Sequence, residues 1–285
     1  MGWKIILATA LILAAVIIIA VLYGAAGWES GTRDLRARLE ASREPVVPKT
    51  YDPRELEGLP EPVKRYFRSV LQAGQPMVTA VSVEHEGTFN MSESGEKWLR
   101  FTSMQRVIVR RPGFDWDGRI SMAPGLTVRV HDSYVAGQGI LHAALFGLVP
   151  VADVRGTPEV ARGELMRFLA EAAWYPTALL PSQGVRWEAV DHASARATLR
   201  DGPTSVTLLF RFDGDGPIAS IRAEARGRTV GGRVIPTPWE GCWRHSELRQ
   251  GMRIPLEGEV AWILPQGPKP YWRGRITKVD YEFAQ

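Results

Sequence analysis

Cysteine occurs once in the chain, at position 242, so no disulfide can close within it and no multi-cysteine zinc or iron–sulfur site can form. Histidine is nearly as scarce. The five are scattered, His85-Glu86 lacks the second histidine of an HExxH helix, and neither a GxxxxGK phosphate loop nor a strand-linked GxGxxG is present. Basic runs are missing too. All but six of the 35 basic residues are arginine, dispersed among 31 acids, so the net charge of +4 and pI near 9.3 describe a mixed surface and speak against nucleic acid as a partner. With 45% hydrophobic and 23% charged residues, the composition is that of a folded globular chain.

What the sequence has in plenty is one long apolar run. From Ile5 to Ala26 there is no charge, and about 22 helical residues reach about 33 Å, enough for a bilayer core of about 30 Å. Trp3 before the run, and Tyr23 and Trp28 at its end, are placed as membrane-interface anchors. The competing reading is a secretory signal cut near Gly24, Ala25 and Ala26, but its apolar region would be long for one. No cysteine follows the run, which excludes a bacterial lipoprotein N-terminus. Residues 1–28 are therefore expected as a single-pass anchor. Arg33, Arg36, Arg38 and Arg43 follow the span against Lys4 alone before it, which by charge bias points inward.

Residues 29–58 read as a charged, proline-punctuated stalk or linker that opens with a short charged helix over 29–44, Leu35 and Leu39 four apart, and 59–285 as one extracytoplasmic domain. An amphipathic helix opens it, with Val63, Phe67, Val70 and Leu71 at helical spacing and Gly74 as the stop. Alternation then takes over. Its clearest case is a hairpin in which Val206, Leu208, Phe210 and Phe212 face Ala219, Ile221, Ala223 and Ala225 across an Asp-Gly-Asp-Gly turn, with Ser220, Arg222, Glu224 and Arg226 on the wet side. A second helix is predicted over 157–174, capped by Thr157 with Pro158 in its first turn. Residues 139–150 are apolar enough for a buried helix or lid but too short to assign. About ten strands and two or three helices suit a mainly β (α+β) fold: a large curved antiparallel sheet, or half-barrel, with helices packed on its concave face.

Three constellations suggest chemistry and fail on geometry. His131, Asp132 and Ser133 are adjacent, so on a strand the aspartate points away from the other two and no relay can form. Asp213, Asp215 and Glu224 match positions 1, 3 and 12 of a calcium loop, but Pro217 and Ile218 replace the fifth ligand and the required glycine. Asp115 and Asp117 alternate with Phe114 and Trp116, so the aromatics are expected inside and the carboxylates on the wet reverse face. No catalytic residue, metal ligand or cofactor is assigned, and the chain is expected not to be an enzyme.

The segment "VIVRRPGFDWDG" resembles the strand-turn-strand of the periplasmic lipoprotein-carrier family, an open half-barrel whose concave side holds lipid chains under a helical lid. Across residues 59–284, "LPEPVKRYF", "AWYPTALLP", "TPWEG", "RIPLEGEVAWIL" and "YWRGRITKVDYEF" resemble a bacterial family known only as a domain of unknown function. The first resemblance implies a domain on the periplasmic side of the inner membrane. The expectation is a membrane-anchored protein that binds a lipid or other apolar ligand in the concave side of its sheet, with Phe114, Trp116, Trp187, Phe210, Phe212 and Trp262 as lining candidates. The alternative is an accessory subunit of a larger membrane complex, for which the small residues Ala8, Ala10, Ala14 and Ala15 permit close helix packing. The partners implied are thus the bilayer, lipid, or neighbouring subunits.

Overall fold

The computed structural model describes residues 2–92 and 95–285; Met1 of the expected anchor lies outside them. Helix α1, Gly2–Ala41, is followed by a short 3-10 turn at Pro53–Leu56 and by helix α2, Glu61–Val70. Six strands come next: β1 Val78–Asn90, β2 Trp98–Ile108, β3 Gly113–Ala123, β4 Leu126–Val135, β5 Gln138–Leu145 and β6 Val149–Arg155. Helix α3, Pro158–Glu171, runs into three 3-10 turns between Ala172 and Gln183. The chain finishes with β7 Arg186–Ala189, β8 Ser194–Asp201, β9 Thr204–Phe212, β10 Ile218–Val230, β11 Arg233–Arg249, β12 Met252–Leu264 and β13 Gly267–Phe283.

All thirteen strands join one antiparallel sheet in the order β6-β5-β4-β3-β2-β1-β13-β12-β11-β10-β9-β8-β7. Its curvature follows from what touches across it. Nine strand steps separate β5 from β9, which in a flat sheet is about 43 Å at about 4.8 Å per step. Yet both pack against the same helix, α3. Likewise Tyr134 Oη on β4 donates to Asp201 Oδ2 on β8 at 2.8 Å. The sheet is therefore rolled around α3 and the turns that follow it, while β6 and β7 remain unjoined edges. It is an open half-barrel with α3 on its concave side.

Glycines make the bend possible. Gly87 pairs with Gly274, which also pairs with Gly258, so three adjacent strands carry glycine at one level. A Cβ on Gly274 would sit 2.4 Å from Cζ2 of Trp272, whose ring lies flat on the backbone there.

The predicted α3 cap is present, with Thr157 Oγ1 accepting from Val160 N at 3.3 Å. Residues 139–150 are not helical. They form β5 and the start of β6, because Leu141, Ala143 and Leu145 alternate inward. Thirteen strands form where about ten were expected, and β11 adds a long arm beside β10.

The larger departure concerns α1. It continues unbroken from the apolar run to Ala41, and among the described residues it is the one helix long and apolar enough to cross a membrane. Its second half, expected in the stalk, lies along the convex face with Trp28, Thr32, Leu35 and Leu39 buried. Trp28, expected at the membrane interface, stacks on His131 at 4.2 Å and donates to Asp117 Oδ1 at 3.0 Å. The reverse face of β3 is accordingly covered at Asp115 and half-covered at Asp117, and stays wet at Arg119 and Ser121. Asp115 is fully buried, accepting from Arg36 Nε (3.0 Å) and Ser133 Oγ (2.8 Å). Burial holds its carboxyl above the ordinary range, with His131 and Arg36 pulling the other way. Period-two spacing correctly sorted the faces of β3 but could not show that a helix from outside the domain covers the polar one.

Candidate functional site: an aromatic cavity in the concave face

A cavity of about 80 Å³ lies between the concave face and α3. Five tryptophans line it: Trp116 on β3, Trp174 in the turn after α3, Trp239 and Trp243 on β11, and Trp272 on β13. Four of them belong to a repeated local pattern, Trp116-Asp-Gly118, Trp239-Glu-Gly241-Cys-Trp243 and Trp272-Arg-Gly274. Residues two apart on a strand share a face, so glycine beside tryptophan lets the indole lie down on the sheet. A Cβ at Gly118 would be 2.2 Å from Trp116 Cη2, and one at Gly258 2.4 Å from Trp243 Cζ3.

The indole N–H groups of Trp116, Trp174 and Trp243 are buried and have no acceptor among the described residues. Trp239 is different, donating to Tyr271 Oη at 2.8 Å. Three unused donors around one cavity are a standing demand for acceptor atoms.

Charge converges on the same place. Arg167 of α3 donates to Glu171 Oε1 (2.6 Å) and to Asp132 Oδ2 (2.8 Å), with its guanidinium 4.9 Å from the Phe114 ring centre and 5.3 Å from that of Trp116. Arg226 donates to Glu164 Oε1 at 3.2 Å and lies 5.0 Å over Trp239. Gln105 Nε2 donates to the second oxygen of Glu171 at 2.6 Å. Two arginines face three carboxyls, so full ionisation would leave one uncompensated negative charge in a dry site. Burial, then the nearby Asp132, push Glu164 up to about 8, and the cluster reaches neutrality by keeping that proton.

Arg226 was expected on the wet side of its hairpin. A register shift between Ala223 and Arg226 turns the strand and delivers the side chain inward, as a β-bulge does. Asp132 does point away from His131 and Ser133, as strand geometry requires, and so reaches the cavity while His131 meets Thr32 of α1 and Ser133 donates to Asp115.

The lining candidates fall into two groups. Trp116 lines the cavity, Phe114 is buried under Arg167, and Trp262 lies near the mouth, stacked on Tyr271 at 5.6 Å with Arg228 above it. Trp187, Phe210 and Phe212 instead pack on one another and on Tyr66 and Phe67, and Trp187 Nε1 donates to Leu179 O at 2.9 Å. Alternation alone found none of Trp174, Trp239, Trp243 and Trp272. Tryptophan and glycine two apart, as Trp-x-Gly at Trp239 and Trp272 and Gly-x-Trp at Trp243, is the signal that marks three of them.

Residues 57–281 match the profile of a family described as a family of unknown function, DUF6920. No curated protein matches the chain. Among solved structures, a LolA superfamily protein from Nitrosomonas europaea is 11% identical, with 78% of this chain and 92% of that chain covered at a TM-score of 0.33. A beta-barrel-like protein of the domain of unknown function DUF1849, from Brucella abortus, is 9% identical, covering 72% of this chain and 99% of that one at a TM-score of 0.22.

Proposed function

The chain belongs to the DUF6920 family, whose description names no activity, and from its concave face we propose that it is a membrane-tethered, non-catalytic protein that binds a lipid or related amphiphile inside the curved sheet. The observation that carries this is the cavity itself, in which aromatic walls surround three indole N–H donors without acceptors. Apolar walls with a few converging donors are how proteins hold ligands that are mostly grease with one polar end. Ester or phosphate oxygens would satisfy the indoles. At about 80 Å³ the cavity has room for about three water-sized groups, which suits a polar head or chain end, with the remainder lying along Phe89, Tyr271 and Trp262 toward the open side.

The carboxyls of the site are engaged by Arg167 and Arg226. That arrangement favours a neutral lining over acid–base work. The reading keeps the domain on the periplasmic side of the inner membrane.

The test is native mass spectrometry of the full-length protein, gently extracted from its own membrane. Co-purifying lipid, lost in a Trp116→Leu, Trp243→Leu double variant that still folds, is the expected result. Delipidated protein that takes up no lipid on reconstitution would overturn the reading. A second reading, accessory subunit of a membrane complex, is favoured by edge strand β6, where Val149 and Val151 are 57% and 60% exposed beside an unjoined backbone. Stoichiometric protein in the same spectra supports that one.

A further inference from the structure

Antiparallel pairing puts the β1–β2, β3–β4 and β5–β6 turns at one end of the half-barrel. The β12–β13 and β10–β11 turns share that end, because β13 begins opposite the close of β1 and the alternation continues. Helix α1 leaves the domain there as well. A Cβ on Gly24 would be 2.4 Å from Leu148 Cγ in the β5–β6 turn, whereas Leu39 reaches Gly113 and the opposite end. Beyond Gly24 the large apolar side chains of α1, back to Trp3, are bare.

The turns at this end have an unusual composition. Residues 123–126 read APGL, 145–149 LFGLV, 230–236 VGGRVIP and 264–268 LPQGP, with Arg233 as their single charge; the β1–β2 turn, 91–97, is the polar exception, and the β8–β9 turn, 201–204, is carried by the roll of the sheet to the opposite end, where Asp201 accepts from Tyr134. Leu148, Val149, Val234, Ile235 and Met91 are exposed. Behind them along the strands stand Arg100, Arg119, Arg129 and Arg228. On the concave side, Phe89, Leu99, Met122, Leu145, Trp262 and Tyr271 are only partly buried, so the hollow is open toward this rim.

From this we propose that the rim formed by the β3–β4, β5–β6, β10–β11 and β12–β13 turns sits in the headgroup layer of the leaflet from which α1 emerges, so that the hollow opens onto the bilayer. Apolar tips backed by cations are complementary to an anionic lipid surface, with acyl chains below and phosphates above. The rim is also continuous with the span, since Gly24 and Leu148 touch. A ligand can then pass between bilayer and cavity without crossing water. The inference rests on α1 spanning the bilayer and not on the cavity being occupied.

It is tested with the full chain in nanodiscs containing anionic phospholipid, in a Cys242→Ser background. Single Leu148→Cys, Val234→Cys and Pro265→Cys variants carry an environment-sensitive fluorophore, with Asp215→Cys in the β9–β10 turn as the far-end control. The expected result is a blue shift, protection from aqueous quencher and quenching by headgroup spin-labelled lipid at the three rim positions and not at Asp215→Cys. Rim probes as water-accessible as the control would overturn the proposal. So would rim probes shielded in native membranes but not in nanodiscs, which assigns the rim to a protein partner. Shielded rim probes on a chain that binds no lipid in mass spectrometry would sink the cavity reading and leave this one standing.

Discussion

Gly118→Ala is the sharpest probe of how the cavity is built. Gly118 lies two residues after Trp116 on the same strand face, and an added Cβ would stand 2.2 Å from both Cη2 and Cζ3 of the indole. Ordinary carbon contacts are about 3.5–4.0 Å, so the ring edge must retreat by about 1.5 Å. Phe101 at 5.9 Å and Arg167 at 5.3 Å border the ring, which leaves the cavity as its escape. Overpacking of this kind costs about 1–3 kcal/mol. Glycine in a strand gives back about 0.5–1 kcal/mol when replaced by alanine. The φ of Gly118 is not in the left-handed region, so alanine adds no backbone strain. A net loss of about 1–2 kcal/mol is expected, or about 2–8 °C in Tm for a domain of this size, with a changed near-UV circular dichroism spectrum and reduced lipid occupancy. Adding Trp116→Phe removes the outer ring atoms and should restore most of the loss, giving a coupling energy of about 1 kcal/mol or more. An alanine variant of wild-type stability and spectrum, or strictly additive effects, would refute the account of indoles lying on glycine.

Stability should fall toward both ends of the pH scale, for opposite reasons. Glu164, held up to about 8 by burial and then Asp132, keeps in the folded state a proton that the unfolded chain has released. Its contribution is complete below about pH 4.3 and is lost as pH rises to about 8, so Glu164→Gln should flatten that limb of a pH-dependent urea series. His85, held down to about 3 by burial and then Arg167, stays neutral in the fold. The unfolded chain takes up that proton below about pH 6.5, so stability drops as acid is added, and His85→Gln should remove that limb. Trp28→Ala deletes the stack on His131 and the bond to Asp117; a loss of about 3–5 kcal/mol is expected, with protease cleavage appearing between residues 29 and 41. A reporter fused after Gln285 should be active only in its periplasm-dependent form, and cytoplasmic activity would reverse the orientation.

Period-two spacing carried most of the fold because it depends on nothing but the geometry of a strand. It separated Phe114 and Trp116 from Asp115 and Asp117, and Asp132 from His131 and Ser133, and the structure keeps both separations. What it cannot supply is the identity of the covering layer. A strand with one wet face announces that face through polar residues, but β3 and β4 are covered on both sides around Asp115 and His131: by α3 within, and without by a helix whose polar residues match theirs, Arg36 to Asp115 and Thr32 to His131 at 2.8 Å. Such a face reads as solvent in the sequence because its partner satisfies it as solvent would.

The cavity escaped for a related reason. Its charged lining depends on one bulge that turns Arg226 inward and on a helix that brings Arg167 and Glu171 across the hollow, and neither leaves a periodic trace. The Trp-x-Gly pairs do leave one. They mark where an aromatic side chain is required to lie flat, and a flat indole on a bent sheet makes a wall of the cavity. A site of this construction is set by the small residues as much as by the large ones. For that reason alanine at Gly118, which removes no ligand-binding group, is expected to disturb binding as surely as the loss of a tryptophan.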